Sequence, residues 1–242
     1  LRWLVRGPEW WDQVGKYINV GAVFDSLRCR DIPNFELTVP PVAEQVAIAE
    51  VLDALDDRIA LLRETNATLE SIAQALFKSW FVDFDPVRAK SQGLAPAGMD
   101  EATAALFPDG FEESALGQVP AGWRWDRLES IADVVMGLSP TGDSYNSDGA
   151  GVPLVNGPVE YGEYFPVRTK WTTSATRMAA HHDLILCVRG STTGRRVVSD
   201  GDYCIGRGVC AIRCKLGLHT FIYKTVDAGL SRLLTKTTGS VF

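Results

Sequence analysis

Two polar, glycine-flanked stretches in the second half of this 242-residue chain carry side chains suited to reading a nucleic acid. Ser139, Thr141, Ser144, Tyr145 and Asn146 offer the hydrogen-bond donors and acceptors that base edges require, and an Asn amide can pair bidentately with adenine. Arg189, Ser191, Thr192, Thr193, Arg195 and Arg196 combine hydroxyls with guanidinium groups, the chemistry that holds phosphates or reads guanine. Arg168, Lys170, Arg177, Arg207 and Lys236 are further cations of the same half. Any one of them also fits an ordinary solvated surface, so the weight lies on the stretches as groups. Trp123 and Trp125 fit a core better than a base-stacking platform.

The charge distribution points the same way. Residues 116–242 hold fourteen Lys and Arg against eleven Asp and Glu, a balance of +3, and residues 1–115 hold ten against nineteen, a balance of −9, within a total of −6. A nucleic-acid surface therefore belongs in the second half.

Linear catalytic signatures are missing. The chain has no phosphate-binding G-x-x-x-x-G-K-[ST] loop, no H-E-x-x-H and no G-x-S-x-G elbow. Its one Pro-Pro, at Pro40-Pro41, does not form the Asn/Asp-Pro-Pro-aromatic tetrapeptide of adenine methyltransferases. His181-His182 precede Asp183 in an expected loop and fit solvated side chains better than a base or ligand pair. None of the five cysteines forms a C-x-x-C pair, and Cys210, Ile212 and Cys214 alternate as buried strand residues do, so no metal site or cofactor is expected.

The elements that must position these residues are mostly short strands, expected at 131–136, 152–155, 184–188, 196–199, 209–214 and 221–223, with helices at 125–132 and 228–234. The expected class is α+β, a β-rich body joined to a long coiled-coil-forming helix. That helix covers residues 42–81, uninterrupted by Pro or Gly from 42 to 85. Along it Ile48, Leu55, Leu62, Leu69 and Leu76 alternate with Leu52, Ile59, Asn66, Ala73 and Trp80 in steps of four and three, the a/d seam of a coiled coil. Asn66 at an a position costs stability but fixes register. At 1.5 Å per residue the rod is about 60 Å long, and its seam needs a second long helix.

Around the helix, residues 1–39 look like the end of a domain, with a strand at 35–39, and Pro40-Pro41 opens the helix at the one place where a missing N–H is harmless. The Pro-, Gly- and Ala-rich stretch 83–115 is expected to be a linker, with a short helix near 99–106, and a second domain is expected from 116 to 242. Gly21-Ala22-Val23-Phe24 is echoed by Gly239-Ser240-Val241-Phe242, which hints that a second copy of the helix follows in a longer chain. The absence of an initiating Met, of a signal peptide and of an apolar run long enough for a membrane span, with five cysteines, leads to the expectation of a fragment of a cytoplasmic protein.

Several motifs converge on one family. Pro40-Pro41-x-x-Glu44-Gln45, Trp80-Phe81-x-x-Phe84, Asp83-Phe84-Asp85-Pro86-Val87, Gly98-Met99-Asp100 and Leu116-Gly117-x-x-Pro120-x-Gly122-Trp123 resemble the specificity subunit of bacterial and archaeal type I restriction-modification systems. Gly137-x-Ser139-Pro140 and Arg189-Gly190-Ser191-x-x-Gly194 resemble segments of its target-recognition domains. The resemblance implies two recognition domains alternating with two long helices that pair antiparallel, each domain reading half of a split site in double-stranded DNA. Methyltransferase and endonuclease subunits then supply all catalysis. On that pattern residues 1–39 are the remnant of a first recognition domain, 40–82 the spacer helix and 116–242 a second recognition domain. The missing antiparallel helix would come from the rest of the polypeptide or from a second chain. Two other readings stay open on the residues alone: a coiled-coil scaffold, and a partner-binding module that never touches DNA.

Overall fold

A computed structural model describes residues 2–21 and 24–237, with side chains as far as 230. The echo at 21–24 and 239–242 falls largely outside the described residues. The chain divides into two units, one ending at Ile72 and one beginning at Ala73.

The first unit is helical. Its opening helix, α1 (Pro8–Tyr17), has Pro at its start, where the lost N–H has no acceptor. It turns Trp10 and Tyr17 onto Phe35, at ring-centroid distances of 5.1 and 5.4 Å. The alternating segment 35–39 does not form the expected strand. Thr38 instead donates its N–H to the Glu9 carboxylate at 2.9 Å. Arg2 pairs with Asp56, and the Trp3 indole donates to Asp53 at 3.1 Å, which ties the start of the chain to the long helix.

That long helix, α2, runs over Val42–Phe81, forty residues, as the sequence predicts. None of its residues is buried. The seam residues Ile48, Leu55, Ile59, Leu62, Leu69 and Leu76 are 44–58% exposed, and Asn66 is exposed with them. At its far end the helix stops where Phe84 takes a left-handed φ of 57°, a conformation that costs a non-glycine residue energy and persists where packing over-determines it. The packing here is aromatic: Phe84 meets Trp123 at 6.0 Å and Phe111 at 6.3 Å. Phe81 meets Trp123 at 5.9 Å and Phe221 at 5.4 Å, while Trp80 lies edge-on to Phe107 at 5.7 Å. Such offset and edge pairs are worth about 0.5–1.5 kcal/mol each beyond area burial.

The stretch expected as a linker is structured. It holds α3 (Asp85–Ser91), α4 (Glu101–Ala104) and β1 (Phe111–Ser114). β1 forms a hairpin with β2 (Gly117–Pro120) across position 115, and Val87 is fully buried.

The body of the second unit is two stacked sheets and a helix. One sheet orders β3 (Ala132–Met136), β11 (Val209–Cys214), β8 (Leu184–Cys187) and β9 (Arg196–Val198), all antiparallel. The other orders β4 (Tyr145–Asn146), β6 (Trp171–Thr172), β5 (Val152–Val155), β10 (Tyr203–Ile205) and β7 (Met178–Ala179), with β5 and β10 parallel. Period-two alternation explains the layers. On β11, Val209 and Ala211 enter the core shared with Val155 and Ile205 of the other sheet and with Tyr161 of the connection after β5, whereas Cys210 and Ile212 face Ile222 and Val226 of α6 (His219–Thr237). On β8, Ile185 and Cys187 face the first core and Leu184 the second. These central strands are apolar on both faces, so they read as unbroken runs in the sequence.

Two expected elements differ. Residues 221–223, expected as a strand, lie in the first turns of α6, because Ile222 and Val226 pack at helical i, i+4 spacing. The helix expected at 125–132 shrinks to α5 (Leu128–Ile131), since Ala132 already pairs with Cys214 in the sheet.

Candidate nucleic-acid interface

Strand directions gather five connections at one end of the double sheet. β3, β8 and β5 finish there, while β11, β9 and β7 start there. The segments delivered are 137–141, 156–160, 176–177, 188–195 and 206–208. Backbone bonds lock them together: Leu138 N–H to Ile205 O at 2.9 Å, Ile205 N–H to Arg177 O at 2.8 Å, Val188 N–H to Gly208 O at 3.0 Å, and Gly206 N–H to Val155 O at 2.9 Å. Thr176 Oγ1 donates to Leu138 O.

Close approach here depends on glycine. A Cβ at Gly137 would run into the Gly206 carbonyl, and one at Gly206 into the Asn156 side chain. The backbones of three connections therefore meet where a side chain would hold them apart. The approach sets Ser139 beside Arg207, whose N–H donates to Ser139 Oγ at 3.2 Å.

The 188–195 connection is a tight hairpin. Gly190 and Gly194 take left-handed φ values of 81° and 95°, and Thr193 Oγ1 donates to Gly190 O at 2.7 Å. Thr192 Oγ1 lies 3.5 Å from Cys187 Sγ, so both threonine hydroxyls serve the loop, while Arg189, Ser191 and Arg195 are exposed.

The structure thus brings together Ser139, Thr141, Arg189, Ser191, Thr192, Thr193, Arg195 and Arg207, adds Arg177, and leaves other candidates elsewhere. Arg196 follows Arg195 but turns inward: it pairs with Asp227 on α6 and stacks over Tyr223 at 5.8 Å. The two neighbouring arginines, expected to act together, face opposite environments because strand side chains alternate. Tyr145 and Asn146 lie on the outermost strand, level with Thr172 and Trp171 through β6; Tyr145 Oη donates to Pro140 O at 3.2 Å, so its hydroxyl braces the 137–141 segment, whereas Asn146 is spent within its own turn. Asn146 Oδ1 accepts the N–H groups of Asp148 and Ala150 at 3.2 and 3.0 Å, and its Nδ2 donates to Ala150 O at 2.9 Å. Its amide closes the 146–150 turn and is not open for the bidentate adenine contact expected of it. Arg168 is held by Tyr203 Oη at 3.2 Å and Asp200 at 3.6 Å, and Lys170 faces Glu160 at 3.8 Å. Lys236 lies beyond the described side chains.

Electrostatically this end is one-sided. Arg177, Arg189, Arg195 and Arg207 are exposed, whereas the acidic residue of the five segments, Glu160, is buried and accepts the N–H groups of Asn156 and Gly157 at 3.2 Å each. Guanidinium groups with hydroxyls between them, on a rigid double sheet, are equipped to neutralise phosphates and to pair with base edges. The sequence reading missed Asn156 and the packing role of Gly206 and Gly208. The run Gly206-Arg207-Gly208 was a visible signal, since an arginine between two glycines marks a close backbone turn. Among the described residues no group of three His, Cys, Asp or Glu can hold a metal ion, and no helix is long and apolar enough to cross a membrane.

Comparison with known proteins finds similar sequences and one shared fold. The model of the Type I restriction modification DNA specificity domain matches residues 13–71, ahead of the gathered loops. The chain is 30% identical over 186 residues to the Type I restriction enzyme HindI specificity subunit of Haemophilus influenzae, covering 61% of this chain and 40% of that protein. It is 26% identical over 202 residues to the putative type I restriction enzyme MjaX specificity subunit of Methanocaldococcus jannaschii, covering 82% and 42%. The matched part is therefore less than half of each of these two relatives. The crystal structure of the type I restriction-modification system S subunit from M. genitalium shares the fold, with a TM-score of 0.53 at 16% identity, over 96% of this chain and 54% of that one.

Proposed function

We propose that this chain, a relative of the specificity subunits of type I restriction-modification systems, recognises double-stranded DNA with the arginine-bearing end of its double sheet. In this reading residues 116–242 are a target-recognition domain that reads half of a bipartite site and contribute no catalysis. The long helix α2 is the spacer, and the assembled subunit directs methyltransferase and endonuclease subunits to the site. The observation that carries the reading is the gathering of Arg177, Arg189, Arg195 and Arg207, all exposed, around Ser139 at one end of a rigid sheet pair.

The exposed seam of α2 supports the second half of the proposal. Leaving Ile48, Leu52, Leu55, Ile59, Leu62, Leu69 and Leu76 in water forgoes about 25 cal/mol for each Å² that a partner helix would cover. An antiparallel helix, from a longer polypeptide or from a second chain, would cover them, and Asn66 would fix the register. Sizing chromatography of this chain, with circular dichroism at falling concentration, tests the pairing. A monomer that keeps the helix fully formed refutes it.

The same exposed seam and the acidic first half would also suit a scaffold that never binds DNA. A duplex-binding series in rising salt separates the two. If the four arginines each neutralise a phosphate, the logarithm of the affinity falls against that of salt with a slope of about −3 to −4. A scaffold gives no such dependence, and a flat series would reject DNA recognition.

A further inference from the structure

The gathered loops present one side chain that the cationic chemistry does not use. Val159 is 90% exposed, the highest value among the large hydrophobics of the described residues. A lone exposed valine on a loose loop would need no explanation. This one is held from beneath. Pro158 opens a short 3-10 turn over Pro158–Glu160, and Glu160, only 3% exposed, fixes the turn through the N–H groups of Asn156 and Gly157 at 3.2 Å each. Val167 N–H then donates to Glu160 O at 2.8 Å, anchoring the exit. Asn156, three residues before Val159, packs against Gly206 and Gly208, which flank Arg207. A rigid apolar knob therefore stands within a few residues of the arginine platform.

We propose that Val159 is a specificity-determining residue that packs against the 5-methyl group of a thymine in the major groove. The inference rests on the DNA-recognition reading above. Three arguments favour this contact. An apolar side chain has no phosphate to pair with, and the one apolar feature that the major groove displays on a base edge is the thymine methyl. Valine is short and stiff at χ1, so it touches a projecting methyl well but reaches too little to wedge between stacked bases, a task that longer residues such as Phe, Leu and Met perform. Its turn is already ordered, so binding loses little further conformational freedom.

The test uses the full chain and duplexes that it selects from a randomised pool. Each thymine of a selected duplex is replaced in turn by uracil, which lacks only the methyl group. At one position the replacement should weaken binding by the wild-type chain about three- to tenfold. V159A should bind the thymine duplex about that much more weakly, and for it the thymine-to-uracil change should make no further difference. The Val159 side chain, 90% exposed, is not part of the core, and a circular dichroism melt of V159A matching the wild type checks that the fold is kept. The inference is overturned if no thymine position is sensitive, or if V159A keeps the same sensitivity. A wild-type chain that binds no duplex at low salt overturns the DNA reading itself, a different result from selective binding indifferent to the methyl group.

Discussion

The two ends of the double sheet use the same residue type in opposite ways. At the end described above, Arg177, Arg189, Arg195 and Arg207 stand exposed. At the other, Arg213 is clamped on Asp183, a fully buried carboxylate, with Nε at 3.1 Å from both oxygens and Nη2 at 2.8 Å. The Asp183 bond lifts the Arg213 guanidinium further above its usual range. Arg168 is likewise held, by Tyr203 and Asp200, and Tyr203 Oη donates to Asp200 at 2.5 Å. The difference teaches that an arginine count says little about binding. What separates the ends is whether a carboxylate already occupies the guanidinium.

Breaking the paired end should have the largest effect. D183A removes the acceptor of Arg213 and of the Ala180 N–H, which lies 2.8 Å from the carboxylate. Removing one partner of a buried pair costs about 3–5 kcal/mol. Arg213 keeps partial access to water, so the lower figure, about 3 kcal/mol in urea unfolding, is expected, with the salt slope of DNA binding unchanged in protein that remains folded. A loss below about 1 kcal/mol would mean that this clamp is not what organises that end.

Arg196 tests the comparison at closer range, since it adjoins Arg195 yet pairs inward with Asp227. R196A should cost about 1–2 kcal/mol, comparable to losing a hydrogen bond to a charged group, and leave the salt slope where it was. A slope reduced by one would show that Arg196 leaves Asp227 to meet phosphate.

The smallest effect on stability belongs to R195A, a surface change expected to stay within about 0.5 kcal/mol. Its effect should appear in binding instead, as a salt slope shallower by about one unit. If R195A and R196A changed stability and slope alike, the two positions would not differ as their surroundings imply.

The sequence alone determined what depends on local pattern. The forty-residue helix was legible because a 4-3 repeat without Pro or Gly admits only one regular structure over that length. The runs at 152–155, 184–187 and 209–214 were legible as strands because their apolar residues are continuous or β-branched and are bounded by turn residues. The family resemblance lay in motifs at the ends of these elements, and the sequence similarity to known specificity subunits agrees with it.

Other features had no local signature. Phe221, Ile222 and Tyr223 fit a strand as well as a helix over three residues, and only the cores above and below decide, with Ile222 and Val226 on one face and Phe221 on the aromatic cluster. The Phe35 segment alternates like a strand, but among the described residues it pairs with no other strand. Which arginines stand free was likewise undecidable from the chain order. Arg195 and Arg196 are identical in type and adjacent in position, and the carboxylate that separates them, Asp227, lies thirty-one residues from Arg196 on another element. Tertiary structure decided it because a charge is neutralised by distance in space, which folding sets independently of distance along the chain.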